Sequence, residues 1–477
     1  MKLDSTYCGA LLLLAAATAQ SATPISALPV FSTGPGALPP AATTSKPGPL
    51  RYAVAQTLAV TQAEQGLWEH SSDGNWTWRM AVHSSNANSL SFAFRQFHLP
   101  AGGVLYVYDL QHQHVQGPYG AEHNIAGELW TALVPGADAV IEADLPAADK
   151  DEFTLQLAQV NHGFLEFWKA GATAKSGSCN VDVACPDGDA WRNEIRSVAR
   201  YTIGGQYLCS GQLVNNTRRD FTPYFLTAAH CLSTQADAQS TVYYWNYQTT
   251  TCGGAADGRL DQNQSGASLT ATYAPSDFTL LQLSATPSSA YNVYYAGWET
   301  ADAAPSDGVA CIHHPGGDEK RISLSNHPTH VTTYGGAGSS GDGTHLQVER
   351  WDSGTTEGGS SGSGLWNQAH HLVGQLHGGN ASCSDTTASD WFGRFAVSWT
   401  GGGTAADSLQ PNLDSLKSST TVLDGADPAG KTTSFASSAA APAAGSARFG
   451  GSFSWLGLVP LLLGGLRRSR GAGAMNL

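Results

Sequence analysis

Short runs of alternating apolar and polar residues recur along most of this chain, separated by glycine, asparagine and aspartate. The first half contains runs such as NSLSFAFRQFHL and GGVLYVYDL, and it has no cysteine between residues 51 and 175. Alternation with period two is typical of half-buried strands, and the turn-forming residues between the runs indicate their ends. The pattern therefore predicts a β-rich domain over residues 51–175.

In the second half the strand-like runs become shorter, and no long stretch has helical periodicity. The runs are YLCSGQLV, YFLTAA, TVYYWNY, DFTLLQL, NVYYAGW, THLQVERW, HLVGQLHG and WFGRFAVSW. Many short strands with frequent turn signals indicate an all-β barrel or sandwich. This second β domain is predicted over residues 176–425.

The segments outside the two β domains differ in composition. Residues 20–50 and 426–449 are rich in alanine, proline, serine, threonine and glycine, which predicts linkers without a core of their own. At the start, Lys2, an apolar run over residues 10–17 and a small-residue cleavage site predict a signal peptide over residues 1–19. The chain is therefore expected to be exported.

The last segment, residues 450–477, contains GGSFSWLGLVPLLLGGLRRSR. A helix over residues 452–466 would span only about 22 Å, which is less than the bilayer core of about 30 Å. The pattern resembles a GlyGly-type sorting signal, a transient inner-membrane anchor that a rhomboid-type protease cuts near the glycines. The arginines would stay inside, and a stable tail anchor is the alternative.

Composition limits the classes of partner. Only 13% of residues are charged, the formal net charge is −14 and the pI is about 5.5. A chain with this balance has no surface suited to polyanions, so nucleic acid is not an expected partner. Since 477 residues exceed one typical domain, several folded or processed units are expected in a monomeric chain.

The cysteines support export. One of the eight, Cys8, falls in the signal peptide, and the other seven all lie in the second β domain. This clustering indicates a disulfide-bearing domain with one thiol left over. No C-x-x-C pair occurs, so neither a zinc site nor a thioredoxin-like motif is expected.

Three fragments of the second β domain carry candidate chemistry. LTAAHC presents His230 at the end of an apolar run, SDFTLL presents Asp277 before one, and TEGGSSGSG contains Ser361. Singly, each has a structural explanation: an exposed histidine, a turn-forming aspartate and a flexible glycine-serine linker. Together they stand in the order of the chymotrypsin-type catalytic triad.

A second interpretation of the serines is open to the same test of order. GGSSG also fits the G-x-S-x-G motif, with Ser360 as the nucleophile of an α/β-hydrolase, a lipase or an esterase. That fold needs its acid and then its histidine after the serine. The histidines that follow, His370, His371 and His377, leave almost no chain for such a fold, so the upstream histidine and aspartate fit better.

The motifs LTAAHC, SDFTLL, IHHPGGDEKRIS, TEGGSSGSG, GQLHGG and SDWFGR together resemble the lysyl endopeptidase family, bacterial trypsin-like serine proteases that cut after lysine. The resemblance covers residues 176–425, and a weaker likeness extends into the preceding β domain. It implies an all-β fold: a chymotrypsin-like double β-barrel preceded by a β-rich propeptide. It implies no cofactor.

The resemblance also implies roles for individual residues. Ser361 matches the nucleophile, His230 the general base and Asp277 the carboxylate that orients the imidazole. The backbone N–H groups of Gly359 and Ser361 match the oxyanion hole, where a glycine favours the tight turn that aims both amides at one point.

The specificity pocket follows from the same resemblance. Asp390 matches the carboxylate at the pocket floor, which would attract the ammonium group of a substrate lysine. His377 matches a histidine that lines the pocket, while Gly378 and Gly379 would let the substrate backbone pair as an added strand. The family has a tryptophan that stacks near the catalytic histidine, and Tyr334 is the nearest match here.

Six cysteines allow fifteen pairings. The resemblance selects the pairs Cys179 with Cys383, Cys185 with Cys252, and Cys209 with Cys231. Cys311 has no family partner and is interpreted as a buried apolar filler. The histidine pairs His313-His314 and His370-His371 point to opposite faces of a strand, so no metal site is expected.

Cleavage after lysine would also allow self-processing. Lys175 followed by Ser176, in GATAKSGSC, is the predicted site at which the protease leaves its propeptide. The expected partners are protein substrates with lysine at the cleaved position, the chain's own propeptide, and the export and C-terminal processing machinery. Two alternatives are an inactive trypsin-like binding module and a protease with mixed Lys/Arg preference.

Overall fold

The structure is a computed structural model, and it describes residues 22–34, 46, 48–71, 74–166, 176–336 and 341–430. The predicted signal peptide, the C-terminal sorting signal and Lys175 lie outside the described residues. Within the described ranges, no helix is long and apolar enough to cross a membrane.

The N-terminal region consists of strands that are mostly antiparallel. Their bounds are β1 Val30–Thr33, β2 Leu50–Arg51, β3 Ala53–Thr61, β4 Leu67–His70, β5 Trp76–Ser84, β6 Ser89–His98, β7 Val104–Tyr108, β8 Val115–Tyr119, β9 Leu129–Trp130, β10 Val134–Pro135, β11 Asp138–Leu145 and β12 Thr154–Gly163. Single 3₁₀ turns lie at Ile25–Ala27, Ala121–His123 and Lys150–Glu152. One sheet has the order β1-β5-β11-β7-β8 with β4 on β5, and the other has the order β10-β6-β12-β3 with β9 on β6.

These two sheets share one apolar core. Along β5, the alternate residues Trp78, Met80 and Val82 are all buried in it, as the period of a strand requires. Phe92 and Phe94 of β6 reach the same core from the second sheet. The predicted β-rich N-terminal domain is confirmed.

The stretch 20–50 contains ordered elements where its composition predicts a linker. Strand β1 pairs in parallel with β5, with Val30 opposite Ala81. Leu28, just before it, is buried with Tyr108. An open sheet edge offers unpaired backbone groups, and a short apolar segment suffices to occupy it despite the surrounding proline and alanine.

The second region continues as strands with four short helices. The strands are β13 Val181–Asp182, β14 Val198–Ile203, β15 Tyr207–Leu213, β16 Tyr224–Ala228, β17 Val242–Trp245, β18 Asn263–Ser265, β19 Ala267–Tyr273, β20 Phe278–Leu283, β21 Gly297–Glu299, β22 Val309–His313, β23 Arg321–Ser325, β24 His330–Thr332, β25 His345–Val348, β26 Gly364–Asn367, β27 His371–Gly379, β28 Asp390–Arg394 and β29 Val422–Leu423. The helices are α1 Arg192–Ser197, α2 Gln235–Gln239, α3 Phe395–Thr400 and α4 Gln410–Leu413, with 3₁₀ turns at Pro186–Trp191, Ala274–Ser276, Ser289–Tyr291 and Pro315–Gly317.

The described strands of this region form two sheets, and all but β13 divide between them by halves of the sequence. The first has the order β18-β17-β14-β15-β16-β20-β19, and β2 joins it by pairing with β15. The second has the order β13-β23-β22-β26-β27-β28-β25-β24, with β21 and β29 attached. This two-lobed, all-β architecture agrees with the predicted fold class.

One predicted strand is partly a helix. The run WFGRFAVSW contains the end of β28, and then Phe395–Thr400 is helical. Phe395, Ser398 and Trp399 are the buried positions of α3. Their spacing of three and four residues is that of a helix face. A run this short does not distinguish the helical period from the strand period.

The N-terminal region packs on the first lobe of the second region. Leu50 and Tyr52 join Leu208 and Tyr244 in a buried apolar cluster, and the Leu133 amide donates a 2.9 Å hydrogen bond to the Tyr244 hydroxyl. Strand β2 pairs antiparallel with β15. The chain that follows residue 46 is thereby held against the lobe that carries His230.

Candidate active site

His230 and Asp277 meet because their strands are neighbours. Strand β16 ends at Ala228, and β20 begins at Phe278 directly opposite. His230 Nδ1 lies 2.7 Å from Asp277 Oδ2, and the His230 backbone amide donates to Asp277 Oδ1 at 2.8 Å. Asp277 is 3% exposed and has a left-handed backbone with φ of 54°, a conformation that aspartate tolerates. Both carboxylate oxygens therefore hold the histidine in one orientation.

Ser361 lies in the turn that precedes β26, on the other lobe. The Ser210 amide of β15 donates a 2.9 Å hydrogen bond to the Ser361 carbonyl, which ties this turn to the first lobe. Gly359 has φ of 96°, and a Cβ built on it would come within 2.9 Å of the His314 carbonyl oxygen. The turn therefore requires glycine at this position for both conformation and space.

The structure separates the two adjacent serines. The Ser360 hydroxyl is fully buried, lies 2.7 Å from His313 Nδ1 and accepts a hydrogen bond from the Glu357 amide. Burial lowers the pKa of His313 to about 3, so this histidine is neutral. The Ser360 hydroxyl is therefore bonded inside the turn, whereas the Ser361 backbone connects the turn to the first lobe.

The Ser361 hydroxyl is engaged by another part of the chain. Its Oγ donates a 3.4 Å hydrogen bond to the Gly48 carbonyl of the N-terminal region. Among the described residues, no hydrogen bond joins Ser361 Oγ to His230, and neither the Gly359 nor the Ser361 amide has an acceptor. The structure therefore brings His230 and Asp277 into direct contact, while the Ser361 hydroxyl contacts the N-terminal region.

Asp390 lies at the start of β28 and is fully buried. Its Oδ2 accepts hydrogen bonds from Trp351 Nε1 and Thr356 Oγ1, each at 2.7 Å. Opposite it on β27 stands Gly379, where a Cβ would come within 2.1 Å of Asp390 Oδ1. The carboxylate is therefore fixed on one oxygen and has open space on the other.

A lysine from the N-terminal region occupies that space. The side chain of Lys46 is 5% exposed, and its Nζ lies 2.9 Å from Asp390 Oδ1. The same Nζ donates to the Ala381 carbonyl oxygen at 3.1 Å and to Thr356 Oγ1. Three acceptors around one nitrogen match the three donors of an ammonium group.

Two further histidines and a tyrosine extend the site. The His377 ring lies between two others, with its centroid 5.4 Å from that of His230 and 3.8 Å from that of Tyr334. Its Nδ1 is 2.9 Å from His345 Nε2 and 3.7 Å from Asp277 Oδ2. Tyr334 thus stacks on His377, one ring removed from His230.

Burial keeps this histidine pair neutral near pH 7. Burial lowers the pKa of His377, and the nearby Asp277 carboxylate opposes that effect. Burial also lowers the pKa of His345 to about 4. The ring stacked beside His230 is therefore uncharged.

One group of described residues has the spacing of a metal site. The ligand atoms of His230, Asp277 and His377 lie within 4.8 Å of one another. Two of these groups are already hydrogen-bonded to each other, as a base and its orienting carboxylate are. We assign no metal to these three residues. The histidine pair His313 and His314 lies elsewhere, and both side chains are fully buried and hydrogen-bonded.

Six of the seven cysteines in the described residues form three disulfide bonds: Cys179–Cys383, Cys185–Cys252 and Cys209–Cys231. These are the pairs that the resemblance implies. Cys311 is free and buried, and its burial raises the pKa of the thiol.

Gly378 and Gly379 end β27 and pair with Trp391 and Asp390 of β28.

Several residues of the site were not found from the sequence. Trp351, Thr356 and the Ala381 carbonyl complete the pocket. Thr356 begins the motif TEGGSSGSG, but nothing in that motif indicates a pocket role for it, and no motif contains Trp351 or Ala381. His345 lies in the run THLQVERW, whose pattern predicts only a strand. Lys46 had one signal: it is a lysine followed by proline, in a chain whose second half resembles a lysine-directed protease.

Comparison with known proteins adds a family. Residues 36–164 match the lysyl endopeptidase N-terminal domain, and residues 173–393 match the lysyl endopeptidase C-terminal domain. The chain is 31% identical over 380 residues to a lysyl endopeptidase of Pseudomonas aeruginosa, covering 74% of this chain and 80% of that protein.

Solved structures also match, at low similarity. A Glu endopeptidase is 18% identical, with a TM-score of 0.26 over 42% of this chain and 85% of that one. The active form of the Rv3671c protease of M. tuberculosis is 14% identical, with a TM-score of 0.29 over 45% of this chain and 83% of that one. These values are too low to add to the argument.

Proposed function

Because the chain belongs to the lysyl endopeptidase family, we propose that it is a serine endopeptidase that hydrolyses peptide bonds on the carboxyl side of lysine. The nucleophile is Ser361, the general base is His230 and the orienting carboxylate is Asp277. The 2.7 Å contact between His230 and Asp277 supports this set.

The reaction follows from those groups. With Gly48 removed, the Ser361 hydroxyl attacks the scissile carbonyl carbon while His230 Nε2 accepts its proton. The amides of Gly359 and Ser361 bind the oxyanion that forms. His230 then gives the proton to the leaving amine as the C–N bond breaks, and a water molecule hydrolyses the acyl-enzyme by the same steps. Asp277 stabilises the imidazolium throughout.

The observation that carries the lysine preference is the ammonium group of Lys46 beside Asp390. A charged lysine is buried here with three acceptors around its nitrogen. Arginine would present a planar fork with five donors in place of a compact point charge, which the acceptor set at Ala381 and Thr356 does not match. An apolar side chain would leave Asp390 Oδ1 without a partner.

Maturation follows from the same specificity. We infer self-processing between Lys175 and Ser176, which would release the protease from its propeptide. The contacts of Ser176 support this processing site. Its amide and its hydroxyl donate hydrogen bonds to Asp318 Oδ2, at 3.2 Å and 2.8 Å. The three disulfides fit an oxidising, extracytoplasmic location, and we propose that the enzyme is secreted.

The test uses processed protein and three peptides that differ only in the residue before the scissile bond: lysine, arginine or leucine. The Ser361→Ala variant, converted to the processed form by a trace of the wild-type enzyme, is the matched control. We expect the lysine peptide to be cut and the variant to be inactive. Equal cutting of the arginine peptide would leave a trypsin-like protease without lysine preference. A Ser361→Ala variant that still cuts would refute the nucleophile.

A further inference from the structure

Part of the N-terminal region runs through the active site. Lys46 fills the specificity pocket, the Gly48 carbonyl accepts the hydrogen bond of Ser361, and Leu50–Arg51 pair with β15. We propose that Lys46 together with residues 48–51, here called the plug, is an intramolecular inhibitor that keeps the full-length chain inactive. This proposal rests on the proposed function of the Asp390 pocket.

The plug uses the pocket as a substrate would. Lys46 is 5% exposed and Asp390 is fully buried, so the two charges are shielded from water and pair directly. A buried ion pair that also satisfies hydrogen-bonding groups is stable only when its geometry is good, and here the distance is 2.9 Å. A second lysine cannot enter while Lys46 is present.

The plug does not use the catalytic groups as a substrate would. A scissile carbonyl accepts hydrogen bonds from both oxyanion amides, yet among the described residues neither the Gly359 nor the Ser361 amide has an acceptor. Ser361 donates to the Gly48 carbonyl, two residues beyond the lysine in the pocket. Among the described contacts, the Ser361 hydroxyl therefore meets the Gly48 carbonyl and not the carbonyl of Lys46.

The sequence adds a second protection. Lys46 is followed by Pro47, whose ring replaces the amide hydrogen and restricts the backbone of the residue before it. The ring adds bulk at the nitrogen to which His230 would have to deliver a proton. A lysine in this context binds as a ligand and resists cleavage as a substrate.

The remainder of the N-terminal region anchors the plug. Leu50 lies opposite Leu208 in the β2–β15 pair, and the Tyr52 amide donates a 2.9 Å hydrogen bond to the Gln206 carbonyl. Because the plug is tethered to a docked domain, Lys46 competes with substrate at an effective concentration of about millimolar. Inhibition should therefore end when processing lets the whole N-terminal region leave.

The test measures access to the pocket in full-length chain that carries Ser361→Ala, so that no processing occurs. The probe is a fluorescein-labelled tripeptide that ends in lysine. We expect Lys46→Met, which keeps an unbranched side chain but removes the charge, to tighten binding at least tenfold. The matched control is Lys150→Met, which removes another lysine of the N-terminal region and should leave binding unchanged. Equal binding with and without Lys46 would overturn the plug.

A second measurement needs no change at Lys46. Brief acetylation of full-length Ser361→Ala protein, followed by mass spectrometry, compares Lys46 with the exposed Lys417. We expect Lys46 to react at least tenfold more slowly, and Asp390→Asn to remove most of that protection. Equal reactivity of the two lysines would contradict the plug. If the tripeptide also fails to bind the processed Ser361→Ala protein, the proposed pocket itself is refuted.

Discussion

Asp390 and Asp318 are both fully buried carboxylates, yet they hold their partners in different ways. Asp390 is fixed on one oxygen by Trp351 and offers the other to Lys46, which comes from a separate region of the chain. Asp318 forms an ion pair with Arg321, three residues further along the chain, and its Oδ2 lies 3.0 Å from Arg321 Nη2.

The two oxygens of the Asp318 carboxylate also differ in their partners. Its Oδ2 accepts from Ser176, while its Oδ1 is buried without a hydrogen-bond partner. The adjacent Gly316 amide donates to the Gly358 carbonyl at 2.8 Å, so this site is connected to the turn that carries Ser361. The comparison teaches that one carboxylate is built for an exchangeable cation and the other for an internal brace.

The largest expected effect is at the exchangeable site. In processed protein, Asp390→Asn should lower kcat/KM for the lysine peptide by about 10³-fold, or about 4 kcal/mol, because a buried ammonium loses its partner. Steady-state kinetics with the lysine and leucine peptides measure this. Equal losses for both peptides would show that Asp390 does not select the charge, and the comparison would fail.

At the brace, Asp318→Asn should act on stability and not on selectivity. Removing the charge weakens one of the two carboxylate contacts of the buried Arg321, which also pairs with Asp182, and should cost about 1.5–3 kcal/mol of unfolding free energy. Denaturant unfolding of the processed protein gives this value, and the ratio of lysine to arginine cleavage should stay constant. A changed ratio with unchanged stability would reverse the two roles.

Processing before Ser176 should increase the stability that Asp318 contributes. Cleavage before Ser176 would convert its amide into an ammonium group, and hydrogen bonds between charged partners are about twice as strong as neutral ones. Processed protein should therefore lose more stability on Asp318→Asn than the unprocessed Ser361→Ala chain does. Equal losses in the two forms would mean that the new terminus does not pair with Asp318.

The buried His345 should make the folding stability of the protein depend on pH. Because burial lowers the pKa of His345 from 6.5 to about 4, the unfolded chain binds more protons between these values, and stability must fall as pH decreases from 6.5 to 4. Thermal unfolding of His345→Gln, which has no such group, should show a shallower decline, by about 1–3 kcal/mol over the window. His330→Gln, at an exposed histidine, should leave the slope unchanged.

The smallest expected effect concerns the stack. Tyr334→Ala removes the ring that lies 3.8 Å from His377, and aromatic pairs contribute about 0.5–1.5 kcal/mol. We expect up to about a tenfold drop in kcat/KM with the lysine preference retained. Tyr334→Phe keeps the ring and should restore the rate, whereas an equal drop in Tyr334→Phe would assign the effect to the hydroxyl.

The sequence predicts those parts of the fold and site that local patterns encode. Alternating strands, the order of His230, Asp277 and Ser361, and the glycine-rich turn at Gly359 all leave short signatures. The family resemblance supplied Asp390. The short helix Phe395–Thr400 was predicted as strand because so few residues do not distinguish the two periods.

What the sequence does not reveal depends on contacts between distant segments. Lys46 lies 344 residues before Asp390, in a stretch whose composition predicts a linker, and its one local signal, the proline that follows it, does not indicate which pocket it fills. Trp351 and Thr356 are likewise defined as pocket residues only by the carboxylate they meet. Such pairings join segments that are distant in the sequence, within one region or between two, and have no periodic signal.

The most direct measurement of the central claim, that the Asp390 pocket selects the ammonium group of lysine, is a map of new C-termini. Processed protein would digest a denatured protein of known sequence, and mass spectrometry would identify every terminus produced. The account predicts lysine at nearly all of them, with Lys-Pro bonds left intact as at Lys46. Termini at arginine as often as at lysine, or frequent cleavage of Lys-Pro bonds, would contradict it.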